Sequence, residues 1–217
     1  MRTRAVVFDF DGTLTNSKSS SWGRIWGKLN VPEIDEKYYN MFHSNEINYN
    51  EWLGLCFNEY KSRGVDKSFL NRIADETKRI DDLTKTLKYL KENNIQIFIL
   101  SGGIRYIIER ILKDDVSYFD GISANIFYFN GDKLDTYEPT KFNPDNKCEY
   151  MAYLLDLKAF DPKSVLFVGN GKNDESIRST GVRTLCFNSD DTDPLDKDIW
   201  DDHLESNSLF EIIKFID

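Results

Sequence analysis

Two carboxylates two residues apart, Asp9 and Asp11, lie near the start of this 217-residue chain. They follow the apolar run Ala5–Phe8 and lead into Gly12 and Thr13. The run predicts a buried strand and glycine permits a sharp turn, so we expect both carboxylates at the strand's end, beside unpaired backbone N–H groups. There, one carboxylate can attack phosphorus while the other handles the proton of the leaving group. The pattern therefore indicates phosphate chemistry, and the competing interpretation is an ordinary acidic turn.

A second strand-like segment also ends in a polar turn. Residues 95–100 form a largely apolar run, typical of a buried parallel strand, and Ser101, Gly102 and Gly103 follow it before a helix-like pattern. A serine hydroxyl and backbone amides at a helix start form an anion site, which makes Ser101 and Gly102 candidate phosphate ligands. The same three residues are equally an unremarkable turn between a strand and a helix.

Two further polar segments lie in the last third of the chain. Lys147 falls on a helix predicted over 145–157, after Asn143 and Pro144, which suit a helix cap and a first turn. The apolar residues 165–168 predict a strand, and this strand runs into Gly169-Asn170-Gly171-Lys172-Asn173-Asp174. Taken alone, that loop is a turn rich in glycine, asparagine and aspartate.

In this order, the four segments resemble the four motifs of the haloacid dehalogenase superfamily of phosphohydrolases, and the resemblance covers nearly the whole chain. It implies that Asp9 is the nucleophile and that Asp11 is the general acid and base. The family's third motif is a basic residue that neutralises the phosphate and the nucleophile, a position that Lys147 matches and for which Lys141 is the alternative. The phosphate-binding residues that the resemblance implies are Gly12, Thr13, Ser101, Gly102 and Lys147.

The resemblance also implies a Mg²⁺ ion as cofactor. Its ligands would be the Asp9 carboxylate, the Asp11 backbone carbonyl, Asn170 and Asp174. The family usually has aspartate where Asn170 stands, and Mg²⁺ prefers anionic oxygen, so we expect weaker metal binding here. Three roles are then open to Asp174: a direct ligand, a ligand through water, or the residue that holds Lys147.

The arrangement of predicted elements indicates an α/β fold. Beyond residue 82, helices and strands alternate, which is typical of a parallel sheet with right-handed crossovers and ligands at the carboxyl ends of the strands. We expect a Rossmann-like, three-layer core over 1–15 and 82–217. Its predicted helices cover 82–92, 104–113, 174–180 and 208–216, its strands 4–9, 95–100, 165–168 and 183–187, and an irregular tail 188–202.

A helical cap is predicted as an insert over 16–81. Apolar residues three and four apart predict short helices there. A turn signal at 130–132 predicts an antiparallel hairpin in the core, between 119–129 and 133–137. The cap helices are predicted over 22–29, 33–42, 49–63 and 67–80.

The insert and the segment 119–125 resemble the phosphoserine phosphatase branch of the superfamily. In that branch an acidic residue helps to bind the amino group of the substrate, and Lys18 holds the matching position here. Because a positive charge cannot bind an ammonium group, we expect a substrate other than phosphoserine, with a second anionic or hydroxyl group. Lys18 and Trp22 are candidate specificity residues, although Trp22 and Trp26, one helical turn apart, also suit the packing of the cap.

Overall charge and composition favour a soluble enzyme that acts on small molecules. The formal net charge is −9 and no block of Lys and Arg is present, which argues against nucleic acid or an anionic membrane as partner. No apolar run is long enough to span a membrane, and the charged start leads into a short strand rather than a signal peptide, so we expect a cytoplasmic protein. We expect a small phosphorylated metabolite as ligand, and a monomer or homodimer.

The cysteines and histidines add no competing site. Cys56, Cys148 and Cys186 lack the spacing of a zinc site and are expected to be reduced. His43 and His203 are isolated in the sequence, so neither a metal pair nor a triad is indicated.

Three other functions are compatible with the predicted fold. A dehalogenase is disfavoured, because carbon–halogen cleavage does not need Asp11 to protonate an alkoxide. A phosphomutase would return the phosphoryl group to a bound sugar instead of transferring it to water. A binding or regulatory protein built on a weakened enzyme is the alternative that Asn170 favours.

Overall fold

The computed structural model describes residues 2–17, 19–142, 147–189 and 199–217. Its centre is a seven-stranded sheet in which every neighbouring pair is parallel except one hairpin, β3–β4. The predicted α/β fold with a parallel sheet is thereby confirmed. Across the sheet the order is β4-β3-β2-β1-β5-β6-β7, with β1 Ala5–Phe8, β2 Gln96–Ile104, β3 Gly121–Asn130, β4 Lys133–Glu138, β5 Val165–Gly169, β6 Arg183–Phe187 and β7 Asp202–Leu204.

Helices cover both faces of the sheet. Strand β1 shows why: its four residues are fully buried and alternate between two apolar clusters, one on each face. Alternation with both faces buried is the pattern of a three-layer α/β/α domain. The α-helices in the described residues are α1 Ser21–Leu29, α2 Pro32–His43, α3 Tyr49–Ser62, α4 Lys67–Glu76, α5 Leu83–Glu92, α6 Arg105–Leu112 and α7 Lys147–Lys158. Helices α5 and α6 contribute to one cluster and α7 to the other.

The chain reverses its direction across the sheet at β1. From β1 it continues to β2 and β3 on one side and later returns to β5 on the other, since β1 pairs with both β2 and β5. The carboxyl ends of β1, β2 and β5 therefore meet, and ligands of open α/β sheets bind at such a reversal point.

Helices α1 to α4 form the insert between β1 and α5, called the cap below. Ser20, Asn48 and Asp66 each accept a hydrogen bond from a backbone N–H of the first turn, which fixes where α1, α3 and α4 begin. The apolar faces of the cap share one cluster with the sheet, and the large side chains Trp26 and Tyr60 lie buried in it. The four predicted cap helices are confirmed, while the exact boundary between cap and core stays a prediction.

Helix α4 is shorter than predicted. The pattern predicts a helix to residue 80, but α4 ends at Glu76. The chain then crosses back to the core beside the outgoing segment, where Ile80 N–H donates to the Leu14 carbonyl and Asn16 N–H to the Lys78 carbonyl. Apolar Ile80 is buried by this crossing rather than by a helix.

Strand β2 is longer than predicted. The predicted turn at 101–103 instead belongs to the strand, which runs to Ile104, and α6 begins only at Arg105. Ser101 and Gly102 therefore lie in an irregular strand and not at a helix N-terminus, and the anion-binding argument based on a helix start was wrong.

The remaining differences lie near the chain's end. The two helices predicted there are 3-10 helices, over residues 172–180 and 209–215. Strand β7, which begins at the last residue of the predicted tail, pairs with β6. Asn143 and Pro144, predicted to begin the helix that carries Lys147, lie outside the described residues, as does most of the predicted tail. None of the cysteines forms a disulfide. Within the described ranges, no helix has the length and apolar character needed to cross a membrane.

Candidate active site

Lys147 lies at the centre of the site, between two carboxylates. Its Nζ donates to Asp9 Oδ1 at 2.6 Å and to Asp174 Oδ1 at 2.5 Å. Lys147 and Asp174 are each 1% exposed, so these charges are almost entirely removed from water. The alternative lysine, Lys141, is exposed. The fold therefore brings Lys147, and not Lys141, to the carboxylate that follows β1.

Asp174 has both oxygens engaged in this arrangement. While Oδ1 accepts from Lys147, Oδ2 accepts the backbone N–H groups of Asn170 and Gly171, each at 3.1 Å. The close approach needs a glycine at 169, because a Cβ there would lie 2.4 Å from Asp174 Oδ2. Of the three roles open to Asp174, these contacts favour the third: it holds Lys147 and shapes the loop after β5.

Burial and charge shift the pKa of both members of the Asp9–Lys147 pair. Burial raises the pKa of Asp9 to about 7; Lys147 opposes this rise, and Asp174 and Asp11 add to it. Burial lowers the pKa of Lys147, but the carboxylates of Asp174 and Asp9 outweigh burial, so its pKa is raised and the ammonium form is kept. A cation beside Asp9 favours the ionised carboxylate, which is the form that can act as a nucleophile.

Asn170 lies against the loop that follows β1. Its Oδ1 accepts a hydrogen bond from Thr13 Oγ1 at 3.2 Å, and the residue is buried. Gly12 has a φ of +83°, and a Cβ there would lie 2.3 Å from Asn170 Nδ2, so glycine serves both the turn and the close packing. The Gly12 N–H donates to Thr15 Oγ1 at 3.2 Å. Thr13 and Gly12, both predicted to bind phosphate, thus also position Asn170.

The oxygen atoms of Asp9, Asp11 and Asn170 suit a divalent cation, but they carry little negative charge to balance it. Among the described residues, Asp9 Oδ2 has no hydrogen-bond partner, and no group of three or more His, Cys, Asp or Glu side chains could hold a metal. The Asp9 carboxylate, the Asp11 backbone carbonyl and the Asn170 side-chain oxygen would hold Mg²⁺ with one formal negative charge, because the Asp174 oxygens are engaged elsewhere. Oxygen donors of this kind suit Mg²⁺, although fewer charges weaken its binding.

The carboxylate of Asp11 faces helix α1. Its Oδ1 accepts from Arg24 Nη2 at 2.7 Å, and its Oδ2 accepts from the Ser21 N–H, at the start of α1, at 2.9 Å. Oδ2 and Ser101 Oγ both border Gly103, since a Cβ on Gly103 would lie 3.3 Å from the first and 3.1 Å from the second. Asp11 therefore stands between the cap and the strand that carries Ser101.

Strand β2 brings Ser101 and its neighbours into the site through a bulge. The register with β3 pairs Leu100 with Ser123 and next pairs Ile104 with Asn125, so β2 advances four residues where β3 advances two. Extra residues in a bulge leave the regular ladder, and their backbone groups must find other partners. The Gly103 N–H donates to Ser101 Oγ at 3.0 Å, which fixes the hydroxyl predicted to bind phosphate.

Asn125 supplies the partners that the bulge needs. It is fully buried, and its Nδ2 donates to the carbonyls of Gly102 at 2.8 Å and Gly103 at 3.2 Å. The same amide contacts Tyr49 Oη, on cap helix α3, at 2.8 Å. The indole N–H of Trp22 adds a hydrogen bond to the Gly102 carbonyl at 2.9 Å. One side chain from β3 and one from the cap thus hold the segment around Gly102 in place.

No motif pointed to Ser21 or Arg24, and Asn125, although it ends the segment 119–125 that carries the family resemblance, had no predicted role; the fold brings all three to the predicted residues. Lys18, a predicted specificity residue, lies outside the described residues. Trp22 is 6% exposed and packs between Trp52, Tyr60 and Phe127, so its contacts favour packing of the cap.

Comparison with known proteins agrees with this geometry. A family model described as haloacid dehalogenase-like hydrolase matches residues 3–176. The chain is 22% identical over 206 residues to phosphoserine phosphatase of Archaeoglobus fulgidus, an alignment that covers 95% of this chain and 58% of that protein. It is 23% identical over 134 residues to 2-hydroxy-3-keto-5-methylthiopentenyl-1-phosphate phosphatase of Lysinibacillus sphaericus, covering 60% of this chain and 56% of that protein. The chain thus spans less than two thirds of the length of these relatives.

Solved structures share the fold at low sequence identity. A phosphoserine phosphatase described as a phospho-aspartyl intermediate analogue aligns over 100% of both chains, with a TM-score of 0.74 and 21% identity. A haloacid dehalogenase family hydrolase from Salmonella enterica serovar Typhi aligns with a TM-score of 0.81 and 16% identity, over 100% of this chain and 72% of that one. At such identities the likeness establishes the fold alone.

Proposed function

This chain belongs to the haloacid dehalogenase-like hydrolases, and we propose that it is a phosphatase that hydrolyses a small phosphorylated metabolite through an aspartyl-phosphate. The observation that carries the proposal is the buried contact of Lys147 with Asp9 and Asp174. A carboxylate buried alone would favour its neutral form, whereas Lys147 favours the anion that can attack phosphorus.

The first step joins Asp9 to phosphorus. Lys147 occupies Asp9 Oδ1, which leaves Oδ2 to attack in line while the bond from phosphorus to the leaving-group oxygen breaks. Lys147, Ser101 and the backbone amides near Gly12 and Gly102 hold the equatorial phosphate oxygens as charge redistributes. Bound Mg²⁺ would neutralise negative charge between the nucleophile and the phosphate.

Asp11 handles the protons of both steps. It gives a proton to the departing alkoxide and then takes one from the water that attacks the aspartyl-phosphate, which releases phosphate and restores Asp9. The position of Asp11 between α1 and Ser101 supports this role, because the leaving group must depart on the side of the phosphate away from Asp9.

The substrate is proposed to be small because the cap lies directly over the strand ends. Ser21 contacts Asp11, and Trp22 contacts the Gly102 carbonyl. Little room for a macromolecule remains between these elements. The two relatives named above carry the names of phosphatases for phosphoserine and for a phosphorylated methylthiopentenyl compound, both small phosphomonoesters.

A binding or regulatory protein is the second candidate, and Asn170 favours it. With an amide in place of a carboxylate, the site holds less charge for Mg²⁺, so catalysis can be lost while phosphate binding persists.

Turnover of p-nitrophenyl phosphate with and without millimolar MgCl₂ decides between the two candidates. We expect Mg²⁺-dependent release of phosphate that is abolished by EDTA and restored by added Mg²⁺. A protein that binds inorganic phosphate in calorimetry but releases none from p-nitrophenyl phosphate or a panel of phosphorylated metabolites would be a binding protein.

A further inference from the structure

We propose that Arg24 is a specificity-determining residue that binds a second anionic group on the leaving-group side of the substrate. This inference rests on the proposed function, since it concerns the substrate of the same site. The predicted role of Lys18 in specificity is a separate prediction, since that residue lies outside the described residues.

The position of Arg24 relative to Asp11 is the first argument. Arg24 Nη2 lies 2.7 Å from Asp11 Oδ1, and Asp11 is the residue that meets the leaving-group oxygen in the proposed reaction. Two successive contacts of about 3 Å each therefore separate that oxygen from the guanidinium. A substituent a few bonds beyond the ester oxygen can reach Arg24.

The unused donors of Arg24 are the second argument. Its Nη1 donates to the Ser19 carbonyl at 2.5 Å, and its Nη2 donates to Asp11. Its Nε is buried and has no hydrogen-bond partner among the described residues. A guanidinium offers five N–H groups in a planar fork that matches a carboxylate or phosphate in a bidentate manner, so this side chain has capacity left for an anion.

The charge of the adjoining cavity is the third argument. A cavity of about 450 Å³ at the base of the cap is bordered by Arg24, Lys28, Lys78 and one carboxylate, Glu76. Lys28 pairs with Glu76 at 2.5 Å and Arg24 pairs with Asp11, so Lys78 adds a positive charge that no carboxylate of the cavity wall offsets. A locally positive cavity in a chain with a net charge of −9 favours an anionic ligand there.

Binding of such a group also changes the partner of Asp11. In the described structure Arg24 and the Ser21 N–H hold both Asp11 oxygens toward α1. An anionic substituent that engages the guanidinium competes with Asp11 Oδ1 for it, and the carboxylate is then free to turn toward the leaving-group oxygen. Substrates with this substituent are thereby favoured both in binding and in alignment.

A matched pair of substrates tests the proposal. 3-Phosphoglycerate and glycerol 3-phosphate differ only in whether a carboxylate or a hydroxymethyl group lies beyond the phosphorylated end. We expect kcat/KM to favour 3-phosphoglycerate by roughly tenfold or more, as a charged hydrogen-bonded contact allows. Arg24→Gln should bring the ratio of the two kcat/KM values close to one, and Arg24→Lys should retain part of the preference.

The ratio separates recognition from any general damage, because a misplaced Asp11 slows both substrates alike. Arg63→Gln, which removes the same charge from an exposed pair with Glu59, is the matched control and should leave the ratio unchanged. The inference is overturned if wild type and Arg24→Gln give the same ratio, or if glycerol 3-phosphate is preferred. Activity on p-nitrophenyl phosphate with an unaltered ratio would reject only this inference, whereas inactivity on every ester would reject the proposed function.

Discussion

A carboxylate and an ammonium group buried 2.6 Å apart stabilise each other only while both stay charged. In this chain Lys147 forms ion pairs with two carboxylates, those of Asp9 and Asp174. Removal of one partner from a buried ion pair destabilises a protein far more than removal from an exposed pair. Asp174 is tied to the loop after β5 by two backbone N–H groups. The second acid therefore fixes Lys147, and Lys147 fixes Asp9 Oδ1, which leaves Oδ2 for the proposed attack.

Replacement of Asp9 tests its proposed role as the nucleophile. Asp9→Asn should reduce kcat for p-nitrophenyl phosphate by on the order of 10³-fold or more, while the fold survives because a neutral amide suits a buried position and Asp174 still pairs with Lys147. Steady-state kinetics and a thermal melt measure both effects. Asp75→Asn, which weakens only an exposed pair with Arg110, is the control and should keep full activity. Retained turnover in Asp9→Asn would show that another residue is the nucleophile.

The role of Asn170 in Mg²⁺ binding can be tested by replacing its amide with a carboxylate. Asn170→Asp should lower the Mg²⁺ concentration for half-maximal activity by roughly tenfold, because a second carboxylate strengthens attraction for the cation. Without Mg²⁺ the variant should melt below wild type, since a further acid joins Asp9 and Asp174, and Mg²⁺ should raise its melting temperature more than that of wild type.

Asn173→Asp supplies the control for this experiment, because it makes the same substitution at an exposed position of the same loop. It should change neither the metal dependence nor the Mg²⁺-induced shift in melting temperature. Equal responses of the two variants would place residue 170 outside the metal site.

The residues that could be predicted are those whose function depends on local sequence. Asp9 and Asp174 follow β1 and β5, and Ser101 lies in the bulged end of β2; these are the carboxyl ends of parallel strands, where α/β proteins bind ligands. The role of Asn125 could not be predicted, because its partners are far away in the chain, 22 and 76 positions distant. Arg24 reaches Asp11, 13 positions away, across the loop between β1 and α1, and no local pattern predicts the path of that loop. Only tertiary packing brings such residues together.

At the scale of single elements, β2 illustrates how a strand becomes part of a site. Its apolar half pairs in register with β1 and β3, and beyond Leu100 the bulge turns polar groups toward the end of β1. A short polar run after an apolar one predicts a turn, and no local signal distinguishes a turn from a bulged strand that a neighbouring side chain supports. The predicted length of α4 was too great because Ile80 fits the helical spacing. In the structure α4 ends at Glu76, and Ile80 is buried where the chain crosses back to the core.

Loss of the amide that supports the bulge should weaken both fold and phosphate binding. Asn125→Ala leaves the carbonyls of Gly102 and Gly103 and the N–H of Thr140 without this partner, so we expect the free energy of unfolding to fall by about 2 kcal/mol. The inhibition constant of inorganic phosphate should rise as well. Denaturant titration and competitive inhibition measure the two effects.

Tyr49→Phe is the graded comparison for Asn125→Ala, since it removes only the hydroxyl that contacts Asn125. Its cost should be below about 1 kcal/mol, with phosphate inhibition little changed. Asn125 would be a packing residue without influence on the bulge if both variants lost the same small amount of stability and if inorganic phosphate inhibited both with the same inhibition constant.

At the scale of the whole molecule, cap and core share one apolar cluster. It joins residues of β1, such as Phe8, to cap residues such as Trp26 and Leu53. The hairpin strengthens this connection, because Phe127 of β3 packs on Phe57 of α3, and Lys67 N–H at the start of α4 donates to the Asp132 carbonyl. A cap packed in this way cannot lose its structure without exposing apolar surface of the core.

We therefore expect cap and core to unfold together, and the tryptophans allow this to be measured. Trp22, Trp26 and Trp52 lie in the cap, whereas Trp200 lies in the core cluster. In Trp200→Phe, fluorescence reports on the cap alone, while far-ultraviolet circular dichroism reports on the whole chain. The two midpoints in urea should agree within about 0.2 M, as for a two-state transition. A fluorescence midpoint clearly below the dichroism midpoint would mean that the cap opens as an independent unit, and the shared cluster would then contribute less to stability than its burial indicates.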